Sequence, residues 1–155
     1  MIMKLPERLD NKELIKVIKS QIRLCLLYKN FHSIIFVSFL TKKKIVLEHI
    51  SYLCEANWIV KRNIMTIKNS RNETVVCFKN GSYIRVARGG ECSKGYKAHN
   101  IVIDSDITER EIINDIIRPH FIDLLILPPK FVIKFFKVER FYRKQFKKRE
   151  YWVKI

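Results

Sequence analysis

Residues 80–106 read NGSYIRVARGGECSKGYKAHNIVIDSD and hold all four glycines of the chain, Gly81, Gly89, Gly90 and Gly95. Asn80-Gly81 separates two apolar runs, 73–79 and 82–87. That pattern predicts a β-hairpin, because Asn and Gly tolerate the left-handed backbone of a tight turn. Residues 88–99 read as a polar loop. Ile101-Val102-Ile103 then ends on Asp104. A short apolar run closed by an acid predicts a buried strand that delivers Asp104 to the carboxyl edge of a parallel sheet. In open α/β sheets that edge is where ligands sit, and in nucleotide hydrolases an acid there commonly holds Mg²⁺. The competing reading is a hairpin, a glycine-rich surface loop and an ordinary core strand.

Upstream, Asn11 is placed to cap a helix over 11–29. Leu14, Ile15, Ile18, Ile22, Leu26 and Leu27 recur there at helical spacing. The continuous apolar run SIIFVSF, 33–39, suits a central parallel strand covered on both faces. Thr41 is placed to cap a second helix to about residue 56, with Ile45, Val46, Ile50 and Leu53 as its buried stripe. Residues 58–68 are ambiguous, with a short strand expected near 64–67. Downstream, Thr108 and Glu111 form a capping-box pattern for a helix over 109–117, which Pro119 stops. Residues 121–127 form another strand-length apolar run, and Pro128-Pro129 is a break. Residues 130–154 read as a basic, aromatic helix. They carry ten Lys/Arg against two Glu, a net +8 and half of the chain's +16. Strands alternating with amphipathic helices predict an α/β fold: a mostly parallel sheet flanked by helices, with an added β-hairpin and a basic C-terminal helix. The organisation expected is a core over 1–129 and the basic helix over 130–155.

The chain has 155 residues, enough for one domain with a real core. A net charge of +16 points to an anionic partner such as nucleic acid, nucleotide phosphates or an acidic membrane surface. Cys25, Cys54, Cys77 and Cys92 form no C-x-x-C pair, and the four histidines do not cluster near them, which argues against zinc. Cys25, Cys54 and Cys77 lie in apolar surroundings and read as core thiols. No signal peptide and no membrane span are expected, so the default setting is intracellular.

The strand-helix unit SIIFVSF-TKKKIVLEHISYL is followed by the N-G-S hairpin, a K-G-Y-K-A-H loop, a strand ending in Asp and an I-I-R-P-H-F segment. In this order and spacing the chain, over roughly residues 14–123, resembles the ATPase core of bacteriophage terminase large subunits, the motors that package viral DNA. The resemblance implies a P-loop NTPase-like fold, here truncated, and cytoplasmic work in a phage-infected or prophage-carrying bacterium. It matches Asp104 to the Walker B aspartate that holds Mg²⁺. The family's catalytic Glu position is Ser105 here, and Asp106 is the nearest acid for a catalytic role. The sequence has no glycine before Gly81 and no G-x-x-x-x-G-K-[ST], whose backbone amides would wrap phosphates. The family's nuclease domain has no counterpart either. Phosphoryl transfer depends on that positioning, so autonomous ATP hydrolysis is not expected. The resemblance implies ATP and Mg²⁺ only alongside a partner chain that supplies a P-loop.

Arg88 and Lys94 in the glycine-containing loop are the candidate phosphate contacts. Lys42, Lys43 and Lys44 lie in the first turn of a helix, where cations oppose the helix dipole and a bound anion would offset them. Lys137, Arg140, Arg143, Lys144, Lys147, Lys148 and Arg149 are interleaved with aromatics, a composition suited to a nucleic-acid backbone and unpaired bases. Packing is the competing reading for Phe131, Phe135, Val138 and Tyr142, spaced by three and four. DNA is the expected partner. The alternative to the packaging reading is a non-catalytic nucleic-acid-binding accessory protein. A metal-dependent nuclease built on Asp104, Asp106, Glu109, Glu111 and Asp115 is the weaker third reading.

Overall fold

The computed structural model describes residues 11–89, 96–120 and 150–155. Helix α1 (Lys12–Leu27) leads into strand β1 (His32–Val37), then helices α2 (Leu40–Ala56) and α3 (Trp58–Asn63). An antiparallel meander follows, β2 (Ile64–Asn69), β3 (Glu73–Phe78) and β4 (Tyr83–Arg88), and then β5 (Asn100–Asp104). A π-helical turn (Ile112–Ile117), a 3-10 turn (Arg118–His120) and strand β6 (Glu150–Val153) complete the described elements. They build one six-stranded sheet in the order β2-β3-β4-β1-β5-β6. β1 runs parallel to both β4 and β5, and β6 runs parallel to β5. The fold is mixed α/β, with a parallel half and an antiparallel extension.

The sheet has two unlike faces. Ile35, Val37, Val76, Ile84, Val86, Val102, Tyr151 and Val153 pack against Leu14, Ile18, Ile22 and Cys25 of α1 and Val46, Ile50 and Leu53 of α2. This is the larger core, and strand alternation puts every second residue into it. On the opposite face Ile34, Phe36, Ile101 and Ile103 pack under Ala98, Ile107 and Ile117. β1 and β5 are therefore buried on both sides, as a continuous apolar run requires. Cys25 and Cys54 are buried thiols, and burial pushes Cys25 well above its ordinary value and Cys54 up to about 11. Cys77 is half-buried on β3 rather than in the core.

The two ends of α1 are tied to distant parts of the chain. Asn11 caps it, its Oδ1 accepting from the Leu14 amide at 3.0 Å, while its Nδ2 donates to the Lys154 carbonyl at 2.7 Å. At the other end the helix leaves carbonyls without intrahelical donors. The hairpin turn supplies them. Asn80 Nδ2 donates to the carbonyls of Cys25 (2.7 Å) and Tyr28 (3.2 Å), and Ser82 Oγ donates to Tyr28 (2.6 Å). Ser82 Oγ in turn accepts from the Phe31 amide at 2.9 Å. The turn thus closes the hairpin, caps α1 and seats the start of β1. Gly81 makes this approach at a φ of +85°, and a Cβ there would lie 2.1 Å from Asn30 Oδ1.

Several boundaries differ from expectation. Phe39, not Thr41, is the N-cap of α2 and makes no side-chain capping bond, because the chain enters the helix directly from the end of β1. The capped helix expected over 109–117 is a π-helical turn whose N-cap, Glu111, makes no side-chain capping bond. The basic helix expected over 130–154 does not extend over its last residues: 150–153 are strand β6, because Tyr151 and Val153 are drawn into the larger core beside β5. Residues 121–127 and 130–149, expected as a strand and a helix, lie outside the described residues. No described helix is long and apolar enough to cross a membrane.

The Gly81 geometry predicts that Gly81→Ala lowers stability by about 2 kcal/mol, the scale of a strained left-handed residue, and lowers Tm by about 5 °C at this chain length. Gly89→Ala is the control, since a Cβ there meets only Ile107, Ile112 and Ile117 at 3.5–3.6 Å. Thermal unfolding of both variants checks the contrast; equal losses would contradict it.

Candidate functional site

Strand direction gathers the candidate residues. β4, β1, β5 and β6 all run the same way, so Arg88, Val37 with Ser38, Asp104 and Val153 finish at one edge of the sheet. α2 starts two residues beyond Ser38, which puts its first turn over that edge. Asp104 belongs to the face of β5 that carries Val102, the face covered by α1 and α2. The carboxylate therefore points under the start of α2 and is fully buried.

Burying a carboxylate is costly unless donors replace its water. Here they do. Oδ2 accepts from Ser38 Oγ at 2.6 Å, Lys42 Nζ at 2.8 Å and the Ser38 amide at 3.0 Å. Oδ1 accepts from the Asp106 amide at 3.2 Å. Lys42 Nζ also donates to Asp106 Oδ2 at 2.5 Å, so one ammonium bridges two carboxylates. Burial pushes the Asp104 pKa up, but the bonds from Lys42, Ser38 and Asp106 more than reverse it and hold it below the ordinary value. For Lys42, burial lowers the pKa while Asp104 and Asp106 outweigh it and raise it. The pair is charged at neutral pH.

The lysine triad is therefore divided. Lys42, expected to face nucleic acid, is turned inward, its side chain 13% exposed. Lys43 is also buried. Its ammonium donates to Asn69 Oδ1 at 3.1 Å and to the carbonyls of Ser70 and Arg71, closing the β2–β3 loop. Lys44 is exposed. For Lys42 the offsetting anions are Asp104 and Asp106 of the chain itself. Arg88 is exposed at the end of β4, in register with Val37. Phe39, 60% exposed, stands between β1 and α2 at the same edge. Lys94, Lys137, Arg140, Arg143, Lys144, Lys147, Lys148 and Arg149 lie outside the described residues.

Among the described residues no three of His, Cys, Asp and Glu converge as a metal-binding group. Asp106 is joined to Asp104 by Lys42, and Asp115 lies in the π-helical turn. Sequence reasoning misses Ser38 and the inward course of Lys42. The signal that could find them is topological: if two parallel strands are neighbours, the residue after one and the acid ending the other meet at the shared edge.

A second polar cluster lies on the far face of β3, β4 and β1. Arg85 pairs with Glu73 at 2.7 Å and lies 3.8 Å from the Tyr96 ring centre, and Tyr96 Oη donates to Glu73 at 2.9 Å. His32 stacks on Tyr83 at 4.1 Å, and His99 Nδ1 accepts from the His32 amide at 3.0 Å. Burial lowers both histidine pKa values, with His99 and Arg85 adding to the effect at His32.

Asp104→Asn removes the charge on which Lys42 and two Ser38 donors converge and leaves Lys42 with Asp106 as its remaining carboxylate; it is expected to cost about 2–4 kcal/mol in urea unfolding, and a loss below about 0.5 kcal/mol would mean the cluster relaxes freely. His32 and His99 have folded pKa values below their unfolded values. Their contribution is full above the unfolded value of about 6.5 and is lost as pH falls through it toward the folded values. Stability should fall from pH 7 to pH 5, and His99→Phe, which keeps an aromatic ring against Phe31, should flatten that fall.

No protein-family model and no curated protein sequence matches the chain. Among solved structures, its fold is similar to that of the large terminase from a thermophilic bacteriophage, with a TM-score of 0.55 and 12% sequence identity. The match covers 93% of this chain and 37% of that protein, so the chain spans well under half of its neighbour. At this identity the likeness establishes fold.

Proposed function

We propose that this chain is a terminase-like phage protein that works in viral DNA packaging, inside a bacterial cell, and that does not hydrolyse ATP alone. The observation that carries the reading is the placement of Asp104. It ends a buried parallel strand beside the β1–α2 unit, in a fold similar to that of a phage large terminase. The order of strand-helix unit, N-G-S hairpin, loop and acid-ended strand, read from the sequence, supports the same assignment.

Within this reading the chain contributes the Walker B half of an ATPase core. Asp104 stands where the resemblance places the metal-holding acid, and Asp106 is the nearest acid for water positioning. Arg88 and Lys94 are the candidate phosphate contacts. Magnesium, when bound at such a site, neutralises charge that develops on the transferring phosphoryl group. The Asp104 donor set does not fit a metal, however. Its Oδ2 already takes three donors, and Lys42 neutralises it. No hydrolytic step is therefore derived through a metal. The cations this reading assigns to function are Lys44 and Arg88, which are exposed, and, from the sequence, Lys137, Arg140, Arg143, Lys144, Lys147, Lys148 and Arg149. They suit the phosphate backbone of DNA, by counterion release rather than base reading.

The occupied carboxylate also favours a second reading, a non-catalytic nucleic-acid-binding accessory protein. A partner that supplies a P-loop and restores ATP turnover separates the two.

Duplex DNA binding followed by fluorescence anisotropy across a salt series tests the shared core of both readings. Affinity should fall steeply with salt. Replacing Lys144, Lys147, Lys148 and Arg149 by Gln should reduce the log–log slope by up to about 3–4, near 0.9 for each phosphate no longer neutralised. Binding that ignores salt, or a slope unchanged by the four substitutions, would contradict the assignment of this segment. ATP turnover by the purified chain above that of a heat-treated sample would contradict the claim of no autonomous hydrolysis.

A further inference from the structure

The Lys42 bridge has the form of an occupied cation site. Its ammonium lies 2.8 Å from Asp104 Oδ2 and 2.5 Å from Asp106 Oδ2, and both carboxylates reach it from the same β5 terminus. Two features hold the ammonium there. Lys42 is in the first turn of α2, from which its side chain reaches Asp104 at the end of β5. Asp104 is fixed independently by Ser38 Oγ, the Ser38 amide and the Asp106 amide.

A magnesium ion needs oxygen lone pairs at about 2.0–2.1 Å in octahedral array. The Asp104 oxygen that would point to it is engaged by three protein donors. A divalent ion placed beside it would face the Lys42 ammonium at contact distance, and like charges so placed repel, most strongly on the side of the buried Asp104 carboxylate.

We propose that the Lys42 ammonium is the resident cation of the Asp104–Asp106 pair, that it closes this position to divalent ions, and that an uncharged residue at 42 converts the pair into a divalent-cation site. The proposal goes beyond the packaging reading and does not depend on it: DNA binding is read separately and can fail or succeed without it. It means that any anion handled at this sheet edge is met by fixed protein cations, such as Lys44 and Arg88, rather than by a metal.

The test uses Mn²⁺ alone as the probe and the full chain, with free Mn²⁺ read by electron paramagnetic resonance. Wild type and Lys42→Arg should leave Mn²⁺ free at millimolar concentration. Lys42→Met and Lys42→Gln should bind it saturably, at least tenfold more tightly than wild type, and should show a Mn²⁺-dependent rise in Tm that wild type lacks. Adding Asp104→Asn to Lys42→Met should abolish both signals. Saturable binding by wild type that Asp104→Asn removes overturns the proposal, as does the absence of binding in folded Lys42→Met and Lys42→Gln. Should neither uncharged variant fold, the wild-type and Lys42→Arg arms decide it: Mn²⁺ bound by either through Asp104 overturns it, and Mn²⁺ left free by both upholds the closed site.

Discussion

The carboxylate of Asp104 is the point on which the carboxyl edge of the sheet turns. It is fully buried, so its charge survives only because β1, α2 and its own following turn aim donors at it. Those donors come from residues 38, 42 and 106, and they join the β1–α2 junction to the end of β5, more than 60 positions away. The same contact resolves a conflict at the start of α2. That helix has no acid in its first turn and a run of three lysines there, an arrangement its dipole disfavours. Asp104 and Asp106 supply from β5 the negative charge the helix does not carry itself.

The hairpin turn plays the matching part at the opposite edge. α1 ends without a glycine cap, and its open carbonyls are met by Asn80 and Ser82. The turn is thus a helix cap delivered from far along the chain, as the Asn80–Cys25 separation of 55 positions shows. With one polar cluster at each edge of the parallel strands, the register of β1 between β4 and β5 is held at both ends.

Much of this is legible in the sequence. Asn11 as a cap, the 33–39 strand, the Asn-Gly hairpin and the strand ending at Asp104 all follow from local chemistry, and each has its element in the structure within a residue or two. What is illegible depends on tertiary contact. α3 carries exposed Trp58 and Ile59 and shows no clean apolar stripe; β2, expected as a short strand near 64–67, runs over Ile64–Asn69. β6 is four residues inside a tract whose aromatics recur at helical spacing, and pairing with β5 decides its conformation. The inward course of Lys42 cannot be read from residues 62 positions apart. Three consecutive lysines look alike in sequence, and only the direction of each side chain separates a structural cation from a surface one.

That sorting of cations bears on what the molecule meets. With 31 Lys/Arg against 15 Asp/Glu, at least 16 cations have no carboxylate of their own under one-to-one pairing, whatever the fold. Several of the described acids are paired within the chain: Asp104 and Asp106 with Lys42, Glu73 with Arg85, Glu150 with Arg118. These pairings use acids to fix sheet edges and faces and leave the chain its net excess of +16. Such an excess repels itself in the free protein and gains most from a polyanion, whose charge spacing is regular and whose counterions are released on contact. The surplus of cations is therefore the physical ground of the proposed DNA partner.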